Sequence, residues 1–517
     1  MKKLNLLSLF FALCVTALHA QTRYLDEVFS QASATTTYYG NNYTVITLSQ
    51  LGHTAPLPQR VDIYTPTGDT ETARPLIIYL HTGNFLPTSV NGSCGGSITD
   101  SSNVEMATRL AKMGYVVAVA SYRLGWRPDL PQELLKRFTL INAAYRGVQD
   151  VRSCIRYFRK TVAEAGNPYG IDPEKIVVWG QGTGGYVSLA SAYLNTYNEI
   201  LTTSDPTKFL IPSALSPTGY LPMVIEAYNG DINGFPPAPL TVCRVDANYA
   251  AATGFPVGDT LCTPQNVGYD SHFNLAVNMG GALGDSTWLD AGEVPLISFH
   301  VPSDFNAPCE TDILNVPTLN GPEPVVEVSG SCDVQELIEI NGNNSVFENI
   351  PAIVDPYRVS GFSGFRPFEG TPNNSSSPWE WRAGPNPPQP SPLWDCNNNA
   401  VTSRAYIDTI IGYYAPRACY ALGLQACINA LVDASEAKAF EAGLKVAPVP
   451  SSAEVNFTAD EMIRQINVYD LNGRLVRNIN SVDHVRYTLR RDGLSNGLYI
   501  AEIRFDKGAV RKKVVFE

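Results

Sequence analysis

Continuous apolar segments alternate with amphipathic segments along the first half of the chain. The almost uninterrupted apolar segments are typical of strands buried on both faces, and they lie at residues 75–80, 115–120 and 175–179. The segments with the 3.6-residue spacing of helices lie at residues 104–113, 142–164 and 185–195. This alternation predicts a mainly parallel sheet with helices on both of its sides.

Shorter elements flank this alternating region. Alternating polarity predicts strands at residues 43–48, 60–64, 275–279, 295–300 and 325–328. A closing helix pair is predicted at 405–430. Two long segments interrupt the pattern: 196–272 is rich in Pro, Asn and Thr, and 361–400 is rich in Pro, Asn and Ser and holds Trp379, Trp381 and Trp394. We expect the first to cap a site and the second to be functional, mobile or both, because long loops without regular structure are uncommon in compact domains.

The last seventy residues change character. Residues 466–477 alternate apolar and polar side chains around Asn472-Gly473, and Asn-Gly at a two-residue turn is a strong hairpin signal. Further strand patterns at 497–503 and 510–516 complete a small all-β module. We therefore predict a main domain at 21–430, a linker at 431–447 and a C-terminal domain at 448–517.

The N-terminus resembles a secretory signal. Lys2-Lys3 precedes an apolar segment at 4–17, which is too short for a comfortable membrane span, and Ala20 is a plausible cleavage residue. No later segment has 18 uninterrupted apolar residues. The formal net charge of −12 argues against a nucleic-acid partner, which requires a basic face. We expect a soluble, exported protein without residues 1–20.

Nine cysteines remain after removal of such a signal. In an exported protein these predict disulfides rather than metal ligands. We expect local bonds Cys243–Cys262 and Cys309–Cys332, a possible Cys94–Cys154 bond, and one pair among the last three, which are Cys396, Cys419 and Cys427. The odd count predicts one free thiol.

Several motifs, in order and in context, carry a family resemblance. The segment Gly180-Gln181-Gly182-Thr183-Gly184-Gly185 lies between a predicted strand and a helix, as in the Gly-x-Ser-x-Gly nucleophile elbow. The other motifs are His81-Thr82-Gly83-Asn84, Ser121-Tyr122-Arg123-Leu124-Gly125, Gln149-Asp150-Val151-Arg152 and Tyr169-Gly170-Ile171-Asp172-Pro173-Glu174-Lys175-Ile176. Residues 60–430 thus resemble secreted bacterial carboxylesterase-like α/β-hydrolases. The resemblance implies an α/β-hydrolase fold with a cap insertion.

The family's catalytic triad is incomplete in this chain. Members attack an ester with a serine that a histidine deprotonates and an acid orients. Gly182 stands at the serine position, and glycine relaxes the strained turn while it removes the nucleophile. Asp304 matches the acid position, although a turn-capping aspartate is an equal alternative. The base position falls either near 329–332 or, if 345–350 is the last strand, at Val354; no histidine lies between 301 and 447.

Other parts of the family's site have matching residues. The resemblance assigns oxyanion-binding N–H groups to Thr82, Gly83 and Thr183. Two residues are candidates to replace the missing groups: Thr183 as a nucleophile, although its side chain should point away from the site, and His272, which could reach in from the cap but is more simply a loop histidine. No clustered His, Cys or carboxylate spacing predicts a metal site, and we expect no cofactor.

The terminal module resembles the type A C-terminal sorting domain of the type IX secretion system of Bacteroidota. The matching residues are Val468-Tyr469-Asp470-Leu471-Asn472-Gly473-Arg474, Gly493-Leu494, Gly497-Leu498-Tyr499 and Lys512-Lys513-Val514-Val515. The resemblance implies a small Ig-like β-sandwich, recognition by the type IX secretion machinery, and release or attachment at the cell surface. A small Ig-like adhesion domain is the alternative.

These features predict a secreted or surface protein of the esterase fold that has lost catalysis and acts by binding or as a structural component. The alternative is an active carboxylic-ester hydrolase with a non-standard catalytic set. The expected ligand is a small ester, a carboxylate or a polymer. Exposed stacking of Trp379, Trp381 and Trp394 would favour the polymer, and their burial would count against it.

Overall fold

The computed structural model describes residues 22–517 except 92, 214–215, 319–320, 360, 371–375, 383–398 and 507. The predicted signal segment therefore lies outside the described residues. The chain forms two compact units, one from the described residues of Met1–Ile350 and Tyr357–Ile428, the other from Pro351–Pro356 and Asn429–Glu517.

The first unit is built on an eight-stranded sheet. Its described strands are β1 Ala32–Thr44, β2 Ala55–Pro66, β3 Arg74–Leu80, β4 Val116–Ala120, β5 Ile171–Gln181, β6 Leu210–Pro212, β7 Tyr220–Pro222, β8 Cys243–Arg244, β9 Thr260–Cys262, β10 Leu275–Met279, β11 Leu296–His300, β12 Asp312–Thr318, β13 Gly321–Val328 and β14 Phe365–Pro367. The main sheet has the order β1-β2-β4-β3-β5-β10-β11-β14. Strand β2 is antiparallel to both of its neighbours, and the remaining pairs are parallel. The predicted parallel sheet is confirmed.

Helices follow most of the parallel strands. The described α-helices are α1 Leu48–Leu51, α2 Ser101–Lys112, α3 Glu133–Glu164, α4 Thr183–Tyr193, α5 Tyr197–Leu201, α6 Glu226–Asn229, α7 Ala247–Thr253, α8 Ser331–Asn341, α9 Ala400–Ala421 and α10 Gln425–Ala442, with short 3₁₀ helices at Val45–Thr47, Ser286–Trp288, Ser345–Asn349 and Ala352–Val354. Residues 345–350 are thus a 3₁₀ helix rather than the last strand, and 325–328 belongs to the separate β12–β13 hairpin. The first predicted strand, 43–48, is wrong for most of its length because 45–51 is helical.

Alternate side chains of the central strands face two different helical layers, as strand geometry requires. Leu76, Ile78 and Leu80 of β3 lie in one core cluster with Val148 and Val151 of α3. On the opposite face, Tyr79 stacks on Trp179 with ring centroids 5.8 Å apart, and Trp179 lies 4.6 Å from Tyr414 of α9. Both faces of the sheet are therefore covered, which explains why its strands are continuous apolar runs.

A buried ion pair ties the loop after β4 to helix α3. Arg123 Nε donates to both carboxylate oxygens of Asp150, at 2.9 and 3.0 Å, and the Arg123 backbone N–H donates to Oδ2 at 2.7 Å. Both side chains are almost completely buried. The pair joins two of the motifs that carried the family resemblance, so these motifs mark a structural element rather than reacting groups.

The second unit is a small all-β assembly. Its strands are β15 Lys445–Ala447, β16 Glu454–Tyr469, β17 Leu475–Arg490, β18 Gly497–Arg504 and β19 Ala509–Phe516. All pairings are antiparallel, and β16 and β17 form the hairpin predicted around Gly473, whose φ is +77°. The expected linker at 431–447 is wrong, since α10 continues to Ala442 and β15 follows at once. Its alanine-rich sequence favours helix rather than a flexible connection.

The cysteines confirm two predicted bonds and correct the rest. Cys309–Cys332 and Cys419–Cys427 are disulfides. Cys94 is disulfide-bonded, but not to Cys154, which is a free thiol on the buried face of helix α3. Cys243 and Cys262 are buried free thiols directly opposite each other on β8 and β9, and so are not the bond we expected. The described residues thus hold three free thiols rather than one. In the part of the chain that the structure describes, no helix is long and apolar enough to cross a membrane.

Candidate active site

The carboxyl ends of the parallel strands surround a small polar cavity of about 110 Å³. This edge is where open α/β sheets bind their ligands. Thr82 follows β3, Gly182 and Thr183 follow β5, Asp304 follows β11 and Ser376 comes after β14, and all five line the cavity. The structure therefore brings together Thr82, Gly182, Thr183 and Asp304, which the sequence had singled out, and adds Ser376.

Gly182 forms the sharp turn between β5 and α4. Its backbone has φ +53° and ψ −118°, a region that residues with a β-carbon rarely occupy, and its N–H donates to the Met279 carbonyl at 2.7 Å. The turn is thus an elbow by shape, although its central residue carries no side chain that could react. This geometry explains why glycine is well tolerated here.

Thr183 is the first residue of helix α4. Its N–H has no acceptor within the helix, because the first N–H groups of any helix lack one. Its hydroxyl is hydrogen-bonded with the Tyr122 hydroxyl at 3.0 Å, and Tyr122 also donates to the His81 carbonyl at 2.8 Å. The Thr183 backbone is therefore available to a ligand oxygen, while its side chain is engaged elsewhere.

Asp304 caps the turn after β11 and also faces the cavity. Its Oδ1 accepts from the N–H groups of Asn306, at 2.8 Å, and Ala307, at 3.2 Å, and from the Ser376 hydroxyl at 2.5 Å. Burial raises the pKa of this carboxyl to about 7, because no described cation pairs with it to offset its desolvation. The carboxyl is therefore protonated in part near neutral pH.

Neither of the two predicted base positions, 329–332 and Val354, lines this cavity. The last strand of the sheet is β14, so the loop that would carry a family histidine begins after Pro367. Val354 lies in the 3₁₀ helix Ala352–Val354, which is grouped with the second unit. Ser329 pairs with Leu283, before helix α8. Ser376, from the loop after β14, occupies the place on Asp304 that a histidine would take.

Five of the six histidines are described, and none of these lines the cavity. His81 is buried, stacks on Tyr122 and is hydrogen-bonded to the Thr82 carbonyl through Nδ1 at 2.5 Å. His300 is buried between the Ser331 hydroxyl and the Ala307 carbonyl, and burial lowers its pKa to about 4. His272 is half-exposed beside Asp270 and lines a different cleft, so the structure does not support it as a rescue.

A second buried carboxyl lies behind the elbow, and sequence reasoning missed it. Glu380 accepts from the Gln181 side-chain amide, whose oxygen in turn accepts from the Tyr79 hydroxyl at 2.9 Å. Burial raises the Glu380 pKa to about 8, and the neighbouring Asp100 adds to the rise. The only signal in the sequence was Gln181 beside the elbow glycine, which does not indicate a distant carboxylic acid.

An apolar cavity of about 90 Å³ adjoins the polar one. Phe85, Leu140, Tyr186 and Leu314 line both. The predicted cap segment 196–272 supplies Ile200, Phe209 and Val224 to the apolar cavity, whereas strand β12 borders the polar one. The cavity is smaller than the roughly 150 Å³ site that holds benzene in an engineered protein, so it suits a short apolar group.

The predicted stacking tryptophans do not support polymer binding. Trp379 and Trp381 are buried, which counts against stacking on a polymer, and Trp394 lies outside the described residues. Among the described residues, no group of three or more His, Cys, Asp or Glu side chains could hold a metal ion.

Family comparisons identify two parts of the chain. Residues 61–214 match the BD-FAE family, an esterase-like α/β-hydrolase family, and residues 445–517 match the secretion system C-terminal sorting domain. Both predicted resemblances are confirmed. No curated protein matches the chain.

Solved esterases are similar at low identity. The native Est2 esterase of the Planctomycetes species Thermogutta terrifontis is 17% identical, with 65% of this chain and 82% of that chain covered and a TM-score of 0.32. Its butyrate-bound form is 17% identical, with coverage of 65% and 84% and a TM-score of 0.30. Esterase 2 phosphorylated by paraoxon is 18% identical, with coverage of 53% and 73% and a TM-score of 0.28. The fold assignment rests on the sheet order and the family match rather than on these scores.

The chain thus contains an esterase-like α/β-hydrolase region, matched over residues 61–214, and a type IX secretion sorting domain, matched over residues 445–517. The sorting domain directs export to the cell surface or the medium, and implies handling by the type IX secretion machinery.

Proposed function

We propose that the exported protein binds a small ester or carboxylate in the cavity at Gly182 and does not hydrolyse it. One observation carries the proposal: the acid carboxyl of Asp304 holds the hydroxyl of Ser376 in place of a histidine, beside an elbow that has no nucleophile. The shape of an esterase site is retained without two of its three reacting groups.

Ester hydrolysis by this fold depends on proton transfer as well as on a nucleophile. The histidine takes the proton of the serine and returns it to the leaving group. A serine hydroxyl cannot replace it, because the hydroxyl is not a base near neutral pH. The Thr82 hydroxyl in the cavity has no described base hydrogen-bonded to it that would activate it.

Groups that bind an ester oxygen are still present. The Thr183 N–H lies at the positive end of helix α4. Asp304 donates a hydrogen bond when it is protonated, and its pKa near 7 makes this possible at moderate pH. The adjoining apolar cavity accepts a short hydrocarbon group. Together they favour a small ligand with one carbonyl or carboxylate end.

The test uses the full secreted chain with p-nitrophenyl butyrate for turnover and butyrate for binding by calorimetry. We expect turnover no higher than that of heat-denatured protein, and saturable butyrate binding. Leu314→Asp should abolish binding, because it places a charge of the same sign as butyrate at the junction of the cavities, and Leu314→Asn is its uncharged control. Enzymatic turnover that persists through purification and is lost in Asp304→Asn would refute the proposal.

An active hydrolase with a non-standard catalytic set is the second candidate. It is favoured by the Ser376–Asp304 hydrogen bond, since the Ser376 hydroxyl donates to a carboxyl group whose pKa is near 7. On this alternative, Ser376→Ala abolishes turnover of p-nitrophenyl butyrate. On the binding proposal, the same variant leaves the absence of turnover unchanged.

A further inference from the structure

Thr82 fills the space that a nucleophilic serine would need. A β-carbon built on Gly182 would lie 2.8 Å from the β-carbon of Thr82 and closer still to Thr82 Oγ1. Carbon atoms that are not bonded make favourable contact at 3.5–4.0 Å. A serine at position 182 and the present Thr82 therefore cannot both occupy their places.

Thr82 has little freedom to move aside. The His81 ring is hydrogen-bonded to the Thr82 carbonyl at 2.5 Å, and Tyr122 donates to the His81 carbonyl at 2.8 Å. The next residue, Gly83, has φ +124° and is packed so closely that an added β-carbon would lie 2.6 Å from the Gly96 α-carbon. The loop after β3 is thus fixed on both sides of Thr82.

The two residues are also complementary in chemistry. The family pattern has a serine at the elbow and a glycine after the loop histidine, as in the His-Gly-Gly sequence that His81-Thr82-Gly83 resembles. In this chain the glycine is at the elbow and the hydroxyl is on the loop. Thr82 lines the polar cavity together with Thr183, and its hydroxyl lies next to the point where a side chain on residue 182 would begin.

We propose that Thr82 and Gly182 are a matched pair, in which the Thr82 hydroxyl has taken the place of the elbow hydroxyl and donates a hydrogen bond to the ligand oxygen. The ligand role rests on the proposed binding function. The steric match stands independently of it. Thr82 acts on this view as a binding residue, because no described base is available to make it a nucleophile.

A double-mutant cycle tests the steric match. Gly182→Ser, Thr82→Gly and the double variant of the full chain are compared by thermal unfolding followed by tryptophan fluorescence. We expect Gly182→Ser alone to lower the Tm by roughly 5 °C, because the serine both overpacks against Thr82 and strains the backbone. In the double variant, Thr82→Gly should recover most of the loss in Tm that is due to overpacking. The control is Gly342→Ser, at a left-handed glycine with φ +71° and ψ 15° and nothing within 4 Å of an added β-carbon, which reports the effect of a glycine-to-serine change at positive φ without overpacking.

Butyrate binding tests the hydroxyl. Thr82→Val keeps the branched shape and removes the hydroxyl, while Thr82→Ser keeps the hydroxyl. We expect the Kd for butyrate to rise about tenfold in Thr82→Val and to stay within about threefold in Thr82→Ser, since a hydrogen bond to a charged group is lost only in the first.

The outcomes separate this inference from the proposed function. Additive effects of Gly182→Ser and Thr82→Gly on the Tm would overturn the matched pair whatever the ligand does. Equal butyrate affinity in wild type and Thr82→Val would overturn the ligand role of the hydroxyl alone. A wild type that binds no butyrate would remove both the proposed function and the ligand role, and the unfolding cycle would still decide the steric match.

Discussion

Replacing Asp304 with asparagine tests the electrostatics of the cavity. Asparagine has nearly the same shape and retains the oxygen that accepts from Asn306, Ala307 and Ser376. It cannot ionise. The substitution therefore removes the titration of one buried group and leaves the hydrogen bonds at this oxygen in place.

The size of the effect follows from the shift in pKa. Burial raises the pKa of Asp304 from 3.8 to about 7, which at 1.36 kcal/mol per unit corresponds to about 4 kcal/mol. Because the folded pKa lies above the unfolded one, the folded state binds the extra proton between these values. Asp304 thus contributes its full stability below pH 4, and this contribution is lost as the pH rises through 7.

Urea unfolding between pH 4 and 8 measures this difference. All six tryptophans lie within residues 126–394, so their fluorescence reports on the first unit. We expect Asp304→Asn to resemble wild type at pH 4 and to exceed its free energy of unfolding by up to about 4 kcal/mol at pH 8. Asp312→Asn, at an exposed position, is the control. Parallel pH profiles for wild type and Asp304→Asn would refute the reasoning.

Three further changes have defined outcomes. Asp150→Asn leaves a buried arginine without its counter-charge and should destabilise the first unit by about 3–5 kcal/mol in the same urea assay. Ser376→Ala removes a hydrogen bond that lowers the pKa of Asp304, so the pH dependence just described should extend to higher pH; an unchanged profile would contradict this. Removing the Cys309–Cys332 bond, which closes a loop of 23 residues, should cost about 3 kcal/mol, measured by urea unfolding of the Cys309→Ala, Cys332→Ala double variant beside wild type.

The sequence predicted the elements whose signals are local. The apolar runs of β3, β4 and β5 are buried on both faces, and the glycine-rich turn at Gly182 connects a strand to a helix as expected. Asp304 was found because it follows a strand at the expected point in the family order. The sequence could not show that Asp304 both caps the turn and faces the cavity, since an aspartate in either role has the same sequence signature.

Features that depend on distance in space were missed. Strand β14 is only three residues long and contains Pro367. No alternation of apolar and polar residues therefore marks it as the last strand. Both predicted positions for the catalytic histidine lie before it in the chain. The contact between Thr82 and Gly182 joins loops a hundred residues apart. The predicted Cys243–Cys262 bond is wrong, because the two residues lie opposite each other as free thiols, and their spacing in the sequence could not show that they are not bonded.

Glycine at the elbow and the carboxyl of Asp304 have opposite effects on stability. Glycine at 182 relieves a strained backbone, which for other residues costs on the order of 1–3 kcal/mol. Asp304 does the reverse, because near and above neutral pH its burial destabilises the fold, and asparagine would make the same hydrogen bonds without this cost. If only the shape of the site mattered, replacing this carboxyl with an amide would increase the stability of the fold at no cost. Its presence in the cavity that Thr82 also lines therefore favours a cavity that still binds a ligand.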